Sequence, residues 1–156
     1  MISTEFETAF DELHRVAYTV AYKILNDRDE SQDVAQESLA RAFASWKKVR
    51  DYAGPWVAKT AGHLAIDRWR RLKRPLPASS LASLYRPADD EAAMRVTIRE
   101  ALVRLPKRQR EVLVLRYLTD LTEESTARAL GVKVGTVKQH NARALAALRT
   151  RLGGDA

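Results

Sequence analysis

Apolar residues recur at intervals of three and four along most of the 156-residue chain, the spacing of an amphipathic helix. The first such pattern predicts a helix over about residues 4–25, opened by the capping-box spacing Thr4-x-x-Glu7. The apolar positions that follow helical spacing are Phe6, Phe10, Leu13, Ala17, Val20, Ala21 and Ile24. The polar residues 26–29 interrupt it, and a second helix is predicted over about 30–49. The buried positions of that helix are Val34, Leu39, Ala42, Phe43, Trp46 and Val49.

Glycine and proline divide the rest of the chain. Residues 51–54 predict a turn, and Pro55 suits the first position of a third helix over about 55–73. Further helices are predicted over 91–104, 106–118, 122–130 and 134–151. No segment alternates over enough residues to predict a strand, so the predicted class is all-α.

A linker is predicted over residues 75–92, which hold three of the five prolines and little helical pattern. Its apolar side chains, available to a partner surface, are Leu76, Leu81, Leu84 and Tyr85. The chain is therefore predicted to form two small helical domains, residues 1–74 and 93–156, joined by this linker.

The C-terminal domain carries a helix-turn-helix pattern centred on Gly131. A glycine there can adopt the left-handed conformation that closes the shorter helix, and another helix follows within three residues. The predicted core of the motif is Ala127, Leu130, Val132 and Val137, continued by Ala144 and Leu148. The polar side chains near the start of the second helix are Lys133, Thr136, Lys138, Gln139, His140 and Arg143. In this motif such residues contact base edges in the major groove, although a solvated basic face without a ligand is the alternative.

Composition narrows the range of partners. The chain has 27 Lys+Arg against 20 Asp+Glu, a formal charge of +7, which makes nucleic acid the first partner to consider. The absence of cysteine excludes disulfides and thiolate metal sites and fits a reducing compartment. No apolar run is long enough to span a bilayer, and the acidic start of the chain differs from a signal peptide. We therefore expect a cytoplasmic protein with no membrane association, no metal and no cofactor.

Two further clusters lie in the first domain. Five of the seven residues 68–74 are basic, and Tyr52, Trp56 and Trp69 lie near them, a composition typical of a single-strand stacking site. Core packing is the alternative for the two tryptophans. The second cluster is a polar row on the second predicted helix, formed by Asp33, Gln36, Glu37 and Arg41. It is either a solvated face with a Glu37–Arg41 pair or a protein-docking site.

Taken in order, these segments resemble the short two-domain sigma factors of bacterial RNA polymerase, called extracytoplasmic-function sigma factors. Residues 33–43 (DVAQESLARAF) resemble the helix that docks on the clamp helices of the polymerase β′ subunit. Residues 61–71 (AGHLAIDRWRR) resemble the promoter-melting helix that follows it. Residues 105–113 and 117–121 resemble the start of the second domain, and residues 135–138 and 143–149 resemble its recognition helix.

The resemblance implies that the first domain binds the −10 promoter element and holds a base flipped out near residues 51–54. The implied −10 residues are Asp51, Tyr52, Trp56, His63, Asp67, Arg70, Arg71 and Arg74. The second domain would read the −35 element as duplex and touch the β flap of the polymerase, and the linker would thread toward the RNA channel. An anti-sigma protein is a further candidate partner. No bond is made or broken by a protein of this kind.

Four departures from the family pattern bear on specificity. His63 stands where asparagine is usual, Ser125 where glutamate is usual, and Lys133 replaces a frequent serine cap. Residues 139–141 (Gln-His-Asn) replace a commoner Ser-Arg pattern. Together they indicate either an unusual promoter preference or a divergent copy with weakened activity.

Three other functions stay open at this level. A regulator of the response-regulator helix-turn-helix class shares the C-terminal pattern, but residues 1–74 show no β-α alternation for a receiver domain. An enzyme could use His63 and Asp67, which stand four residues apart. We interpret that spacing as a local helix-stabilising pair, because no nucleophile or phosphate loop accompanies it. The last alternative is an interaction-only helical bundle.

Overall fold

A computed structural model of the chain describes residues 2–73 and 99–151, and every regular element within these ranges is helical. The first lobe contains α1 (Ile2–Leu25), α2 (Arg28–Ala44), α3 (Trp46–Val49), a 3₁₀ turn (Arg50–Tyr52) and α4 (Ala53–Lys73). The second lobe contains α5 (99–104), α6 (Lys107–Leu113) with a π-helical turn (Val114–Leu118), α7 (Glu123–Leu130) and α8 (Val134–Arg151). The predicted linker, Arg74 and the first part of the helix predicted over 91–104 lie outside the described residues.

The junction of α1 and α2 is set by two polar residues. Asn26 adopts the left-handed conformation, with φ 51°, and its N–H donates to the Tyr22 carbonyl, which ends α1. Asp27 then caps α2, because its carboxylate oxygen accepts a hydrogen bond from the Glu30 N–H at 2.9 Å. The second helix therefore begins at Arg28, two residues before its predicted start.

Three predicted boundaries are wrong. The capping box at Thr4 does not form, because α1 already begins at Ile2 and the Thr8 hydroxyl donates to the Thr4 carbonyl within it. The helix predicted over 30–49 is interrupted at Ser45, after which buried Trp46 donates from Nε1 to the Glu5 carboxylate at 3.1 Å. The turn predicted at 51–54 is a 3₁₀ turn that leads directly into α4.

The first-lobe core follows the predicted pattern except at its border. Phe10, which follows the helical spacing of apolar residues, and Phe43, which was predicted to face inward, are 41% and 50% exposed. Their rings pack edge-on against buried Phe6, with centroid distances of 6.0 and 5.1 Å. Helical spacing places them on the apolar side of α1 and α2, but it cannot show that this side ends at the protein surface. In the second lobe, Val132 and Leu148 are likewise only half-buried.

The two lobes pack against each other and share one continuous hydrophobic core. The helix predicted over 106–118 changes to π-helical geometry at Val114, where the chain meets α4. Gly62 of α4 makes this approach possible, since a Cβ at that position would lie 3.1 and 3.3 Å from the two Val114 methyl groups. Across residues 2–73 and 99–151, none of the helices is both long and apolar enough to cross a membrane.

Candidate nucleic-acid interface

The helix-turn-helix motif is built by local hydrogen bonds at both ends of α7. The Thr122 hydroxyl accepts from the Ser125 N–H at 3.1 Å and caps the helix start. Gly131, with φ 67° and ψ 35°, ends the helix, and the Val132 N–H donates to the Ala127 carbonyl at 3.0 Å. The predicted glycine-closed turn is confirmed.

Helix α8 presents the predicted −35 residues to solvent. Its buried side is formed by Val137 and Ala144, both fully buried. Lys133, Lys138, Gln139 and Arg143 are exposed, whereas Thr136 and His140 are half-buried at the edge of the same surface. Lys133 caps α8 with its backbone only, because its carbonyl accepts from the Thr136 and Val137 N–H groups. Cationic and amide donors therefore share one accessible helix face.

The predicted −10 residues are divided between the two ends of α4. At its start, Asp51 is exposed and Tyr52 and Trp56 are half-buried against the core. Toward its end, Asp67, Arg70 and Arg71 are exposed. Core packing of the two tryptophans is confirmed in part, because each packs on the core and keeps some exposed surface, and the stacking role stays a prediction. Trp69 additionally carries the Arg99 guanidinium over its ring at 5.0 Å.

His63 is held by the second lobe rather than by its own helix. Its Nε2 lies 2.7 Å from the Oε2 of Glu111, and its Nδ1 lies 3.4 Å from the guanidinium of Arg110. The expected local pair with Asp67 is wrong, since the Asp67 carboxylate instead faces Arg70 at 3.8 Å. A carboxylate supplied by the second lobe is the partner that spacing within α4 could not reveal.

Glu111 is a functional candidate that the sequence interpretation missed. Its side chain is only 3% exposed and also accepts from Arg108 at 3.1 Å. Burial alone would raise the pKa of this carboxyl, but the hydrogen bond from His63 and the charge interactions with His63, Lys59 and Arg108 hold the pKa below its usual range. The sequence did contain a signal that this glutamate is buried. Glu111 shares a helix face with the apolar residues Leu115 and Leu118, where an exposed charge is not expected.

The polar row on α2 lies on an accessible surface. Asp33, Gln36 and Arg41 are exposed, and the predicted Glu37–Arg41 pair is confirmed at 2.8 Å. The Arg68 guanidinium of α4 pairs with two carboxylates near the start of α2, at 2.6 Å from Glu30 and 3.6 Å from Asp33. The row adjoins an apolar groove that the sequence pattern did not predict, because Phe43 was expected to face inward. The groove is lined by Phe6, Phe10, Gln36, Leu39, Ala40 and Phe43.

Comparison with known proteins gives a consistent assignment for both lobes. The Sigma-70 region 2 family matches residues 9–75, and the Sigma-70, region 4 family matches residues 95–148. The RNA polymerase sigma-E factor of Streptomyces coelicolor is 33% identical over 136 residues, covering 85% of this chain and 77% of the relative. The ECF RNA polymerase sigma factor SigM of Mycobacterium tuberculosis is 32% identical over 153 residues, covering 93% and 78%.

Solved structures share the fold at lower identity. The sigma factor RpoE of Bartonella quintana, in complex with the anti-sigma factor NepR, matches with a TM-score of 0.61 and 19% identity over 97% of this chain and 98% of that chain. CnrH, in complex with the cytosolic domain of CnrY, matches with a TM-score of 0.58 and 21% identity over 97% and 89%. At these identities the likeness concerns the fold alone.

Proposed function

The chain belongs to the extracytoplasmic-function sigma factors of RNA polymerase. From this membership we propose a role in promoter recognition or polymerase binding for each of its surfaces. It binds core RNA polymerase and directs promoter recognition and strand opening for transcription initiation. The alternative of a response-regulator type of DNA-binding protein is discarded, because it leaves the first-lobe match to sigma region 2 unexplained.

The second lobe reads the −35 element with α8. Lys138, Gln139 and Arg143 are exposed on its outward face, and Thr136 and His140 flank them. Amide and guanidinium groups at such positions form bidentate contacts with adenine and guanine, while Lys133 and Lys138 suit phosphates. The residues His140 and Asn141, which depart from the family pattern, lie on this helix, so the preferred −35 sequence differs from that of the relatives.

The first lobe takes the opened −10 strand along α4. Arg70 and Arg71 provide the cationic end, and the half-buried rings of Tyr52 and Trp56 provide stacking surfaces at the other end. Flipping one base costs a few kcal/mol of unstacking, which stacking and phosphate contacts of this kind offset. His63 lies between the two ends and takes the place of the usual asparagine.

The α2 row binds the β′ clamp helices of core polymerase. Gln36 and Arg41 are exposed, Glu37 is half-exposed, and the apolar groove beside them offers Phe10 and Phe43 to an incoming helix pair. Polar groups around an exposed apolar patch are typical of protein interfaces. The β flap then engages the second lobe.

Similarity to sigma-E over 85% of the chain, with the two sigma regions in order, is the observation that carries this function. The protein makes and breaks no bond itself and works in the cytoplasm, where its polymerase is found. The relatives of like fold that were solved with NepR and CnrY suggest an anti-sigma protein as a further partner.

The decisive experiment is transcription in vitro with purified core polymerase and a library of randomised promoters. We expect a stable holoenzyme and enrichment of a two-part motif with separate −35 and −10 elements. Failure to form a complex with core polymerase would remove the proposed function.

A further inference from the structure

We propose that Glu5 is a positioning residue for the −10 site, because it fixes the short segment 46–52 against which the flipped base would stack. The inference rests on the proposed function of that site. Glu5 lies in the first turn of α1. Its carboxylate bonds to Trp46 and Arg50, which are 41 and 45 residues further along the chain.

The segment between α2 and α4 has little local support for its shape. Helix α3 has four residues and the 3₁₀ turn after it has three, and neither begins with a side-chain capping bond. Helices this short are not stable in isolation. The geometry of the segment therefore comes from contacts with the rest of the lobe, among them the buried side chains of Trp46 and Val49.

Two consecutive residues of α1 hold the indole of Trp46. The Phe6 ring packs edge-on against it, with the ring centroids 5.3 Å apart. The Glu5 carboxylate accepts a hydrogen bond from the indole Nε1 at 3.1 Å. Apolar packing has no preferred direction, so the hydrogen bond is what fixes the orientation of the ring. Because Trp46 is only 4% exposed, loss of this carboxylate would leave its N–H without a partner in a place that water hardly reaches.

The same carboxylate oxygen also binds the first residue of the 3₁₀ turn. The Arg50 guanidinium donates to Oε2 of Glu5 at 3.4 Å, and that oxygen is the acceptor for Trp46 as well. The hydrogen bond from Trp46 and the charge of Arg50 lower the pKa of Glu5, so the carboxylate is ionised at neutral pH. The Arg50 side chain is 49% exposed, and a guanidinium has five N–H donors. The bond to Glu5 therefore leaves other donors of Arg50 for a phosphate.

The segment that Glu5 holds carries groups suited to a single strand. Its exposed basic residues are Lys47, Lys48 and Arg50. The half-buried ring of Tyr52 lies at the end of the 3₁₀ turn. Cations that follow the backbone, together with a ring on which a base stacks, are typical of single-strand sites. The orientation of α3 and the turn decides where these groups lie relative to Trp56 on α4, so a rotated segment would offer the flipped base a poorer site.

The test compares variants of Glu5 with a matched loss of charge elsewhere on α1. Glu5→Ala removes both bonds. Glu5→Gln keeps an amide oxygen that accepts from the Trp46 indole, but it loses the charge that faces Arg50. Glu12→Ala is the control, because it removes a carboxylate from the exposed side of the same helix, where Glu12 pairs with Arg15 at 3.5 Å. Circular dichroism establishes that each variant keeps its helix content.

The first readout is hydrogen exchange of the Trp46 indole N–H, followed by nuclear magnetic resonance in the free chain. The chain has three tryptophans, so this indole gives one of three signals. We expect its exchange to be about tenfold faster in Glu5→Ala and unchanged in Glu12→Ala, because the bond to Glu5 must open before the proton exchanges. Unchanged exchange in Glu5→Ala would overturn the proposal.

The second readout is base flipping by the holoenzyme. The probe is 2-aminopurine placed in the −10 strand of a promoter recovered from the randomised library, and its fluorescence rises when the base leaves the stack. At saturating DNA, we expect the ratio of flipped to stacked base to fall about tenfold in Glu5→Ala, the scale on which a hydrogen bond to a charged group contributes. Glu5→Gln should retain most of the flipping and Glu12→Ala all of it.

Binding to core polymerase and to −35 duplex DNA is measured for all four chains and should be the same in each. Normal flipping in Glu5→Ala would overturn the proposal. So would a parallel loss of flipping, −35 binding and polymerase binding, because Glu5 would then support the fold and not the site. Equal losses of flipping in Glu5→Gln and Glu5→Ala would overturn the role of the Trp46 bond.

Failure of the proposed function gives a different result. The natural chain itself would then form no complex with core polymerase. Exchange of the Trp46 indole, which is measured without polymerase or DNA, would still show whether Glu5 holds the segment.

Discussion

His63 and Glu111, 48 residues apart in the chain, are joined through Nε2 and Oε2 at 2.7 Å. The bond links α4, the helix that resembles a promoter-melting element, to α6 of the second lobe. The Glu111 side chain is only 3% exposed and that of His63 is 23% exposed, so the contact is largely shielded from water on the Glu111 side. It connects the two lobes through the side chain that departs most clearly from the family pattern in α4.

The stability of the contact between the two lobes should depend on acid through Glu111. The pKa of its carboxyl is held below the ordinary value of 4.5, so its contribution is present above that pH and is lost as the pH falls through the lowered pKa. We expect the free energy of unfolding, measured with urea and circular dichroism, to fall in that range. The charged and titratable groups that interact with the carboxyl are Lys59, His63, Arg108 and Arg110.

Glu111→Gln keeps the side-chain size and removes the titrating group, so its free energy of unfolding should lack this acid step. Glu100→Gln, at an exposed position on α5, is the matched control and should titrate like the natural chain. Identical acid profiles for the natural chain and Glu111→Gln would show that another group causes the loss of stability in acid.

Reversing the charge of Arg70 and Arg71 should impair open-complex formation. Both side chains are exposed near the end of α4, where they would meet phosphates of the melted strand. We expect permanganate footprinting to show a tenfold or greater loss of opening, about 1.4 kcal/mol. Polymerase affinity should be spared, because the α2 row is unchanged. Loss of polymerase binding in this double variant would contradict the assignment of the two surfaces.

Lys138→Ala should weaken binding to −35 duplex DNA and reduce its salt dependence. Removal of one phosphate contact lowers the slope of log K against log salt by about 0.9. Arg149→Ala removes a charge from the same helix about three turns further along and should change the slope less. Equal slopes for the natural chain and Lys138→Ala would mean that this lysine contacts no phosphate.

Glu37→Arg should reduce affinity for core polymerase without destabilising the fold. Glu37 pairs with Arg41 at 2.8 Å on the α2 row, an exposed pair worth about 0.3–0.5 kcal/mol. Glu12→Arg is the matched control, since Glu12 pairs with Arg15 at 3.5 Å on the exposed side of α1. Titration of the labelled chain with core polymerase should show weaker binding for Glu37→Arg than for Glu12→Arg. Similar losses would indicate a general charge effect rather than a docking row.

Gly131→Ala should destabilise the second lobe by about 1–2 kcal/mol. Gly131 has φ 67°, a backbone conformation that residues with a Cβ rarely adopt. A Cβ added to Gly131 would meet nothing within 4 Å, so the cost of the substitution is conformational only. Gly135→Ala lies in equally open space with ordinary helical geometry and should be neutral or stabilising by up to about 1 kcal/mol. Thermal unfolding monitored at 222 nm distinguishes the two; equal midpoints would contradict the role assigned to the left-handed turn.

The sequence by itself determined the helical class, the helix-turn-helix motif and the two charged or polar faces. These features depend on local physics, because helical spacing, a left-handed glycine and side chains three or four residues apart are set within a few residues of chain. The boundaries at Ser45 and Val114 were not predictable in this way, since Trp46 and Val114 respond to contacts with other helices.

Only the tertiary structure decided which partner each group takes. Asp67 and Glu111 are both carboxylates that spacing or composition could pair with His63, and the approach of the second lobe selects Glu111. The same approach explains Gly62, whose lack of a side chain has no local reason in α4. Long-range contacts depend on how whole helices pack. The periodicity of a sequence does not show which helix faces meet when they lie about 50 residues apart in the chain.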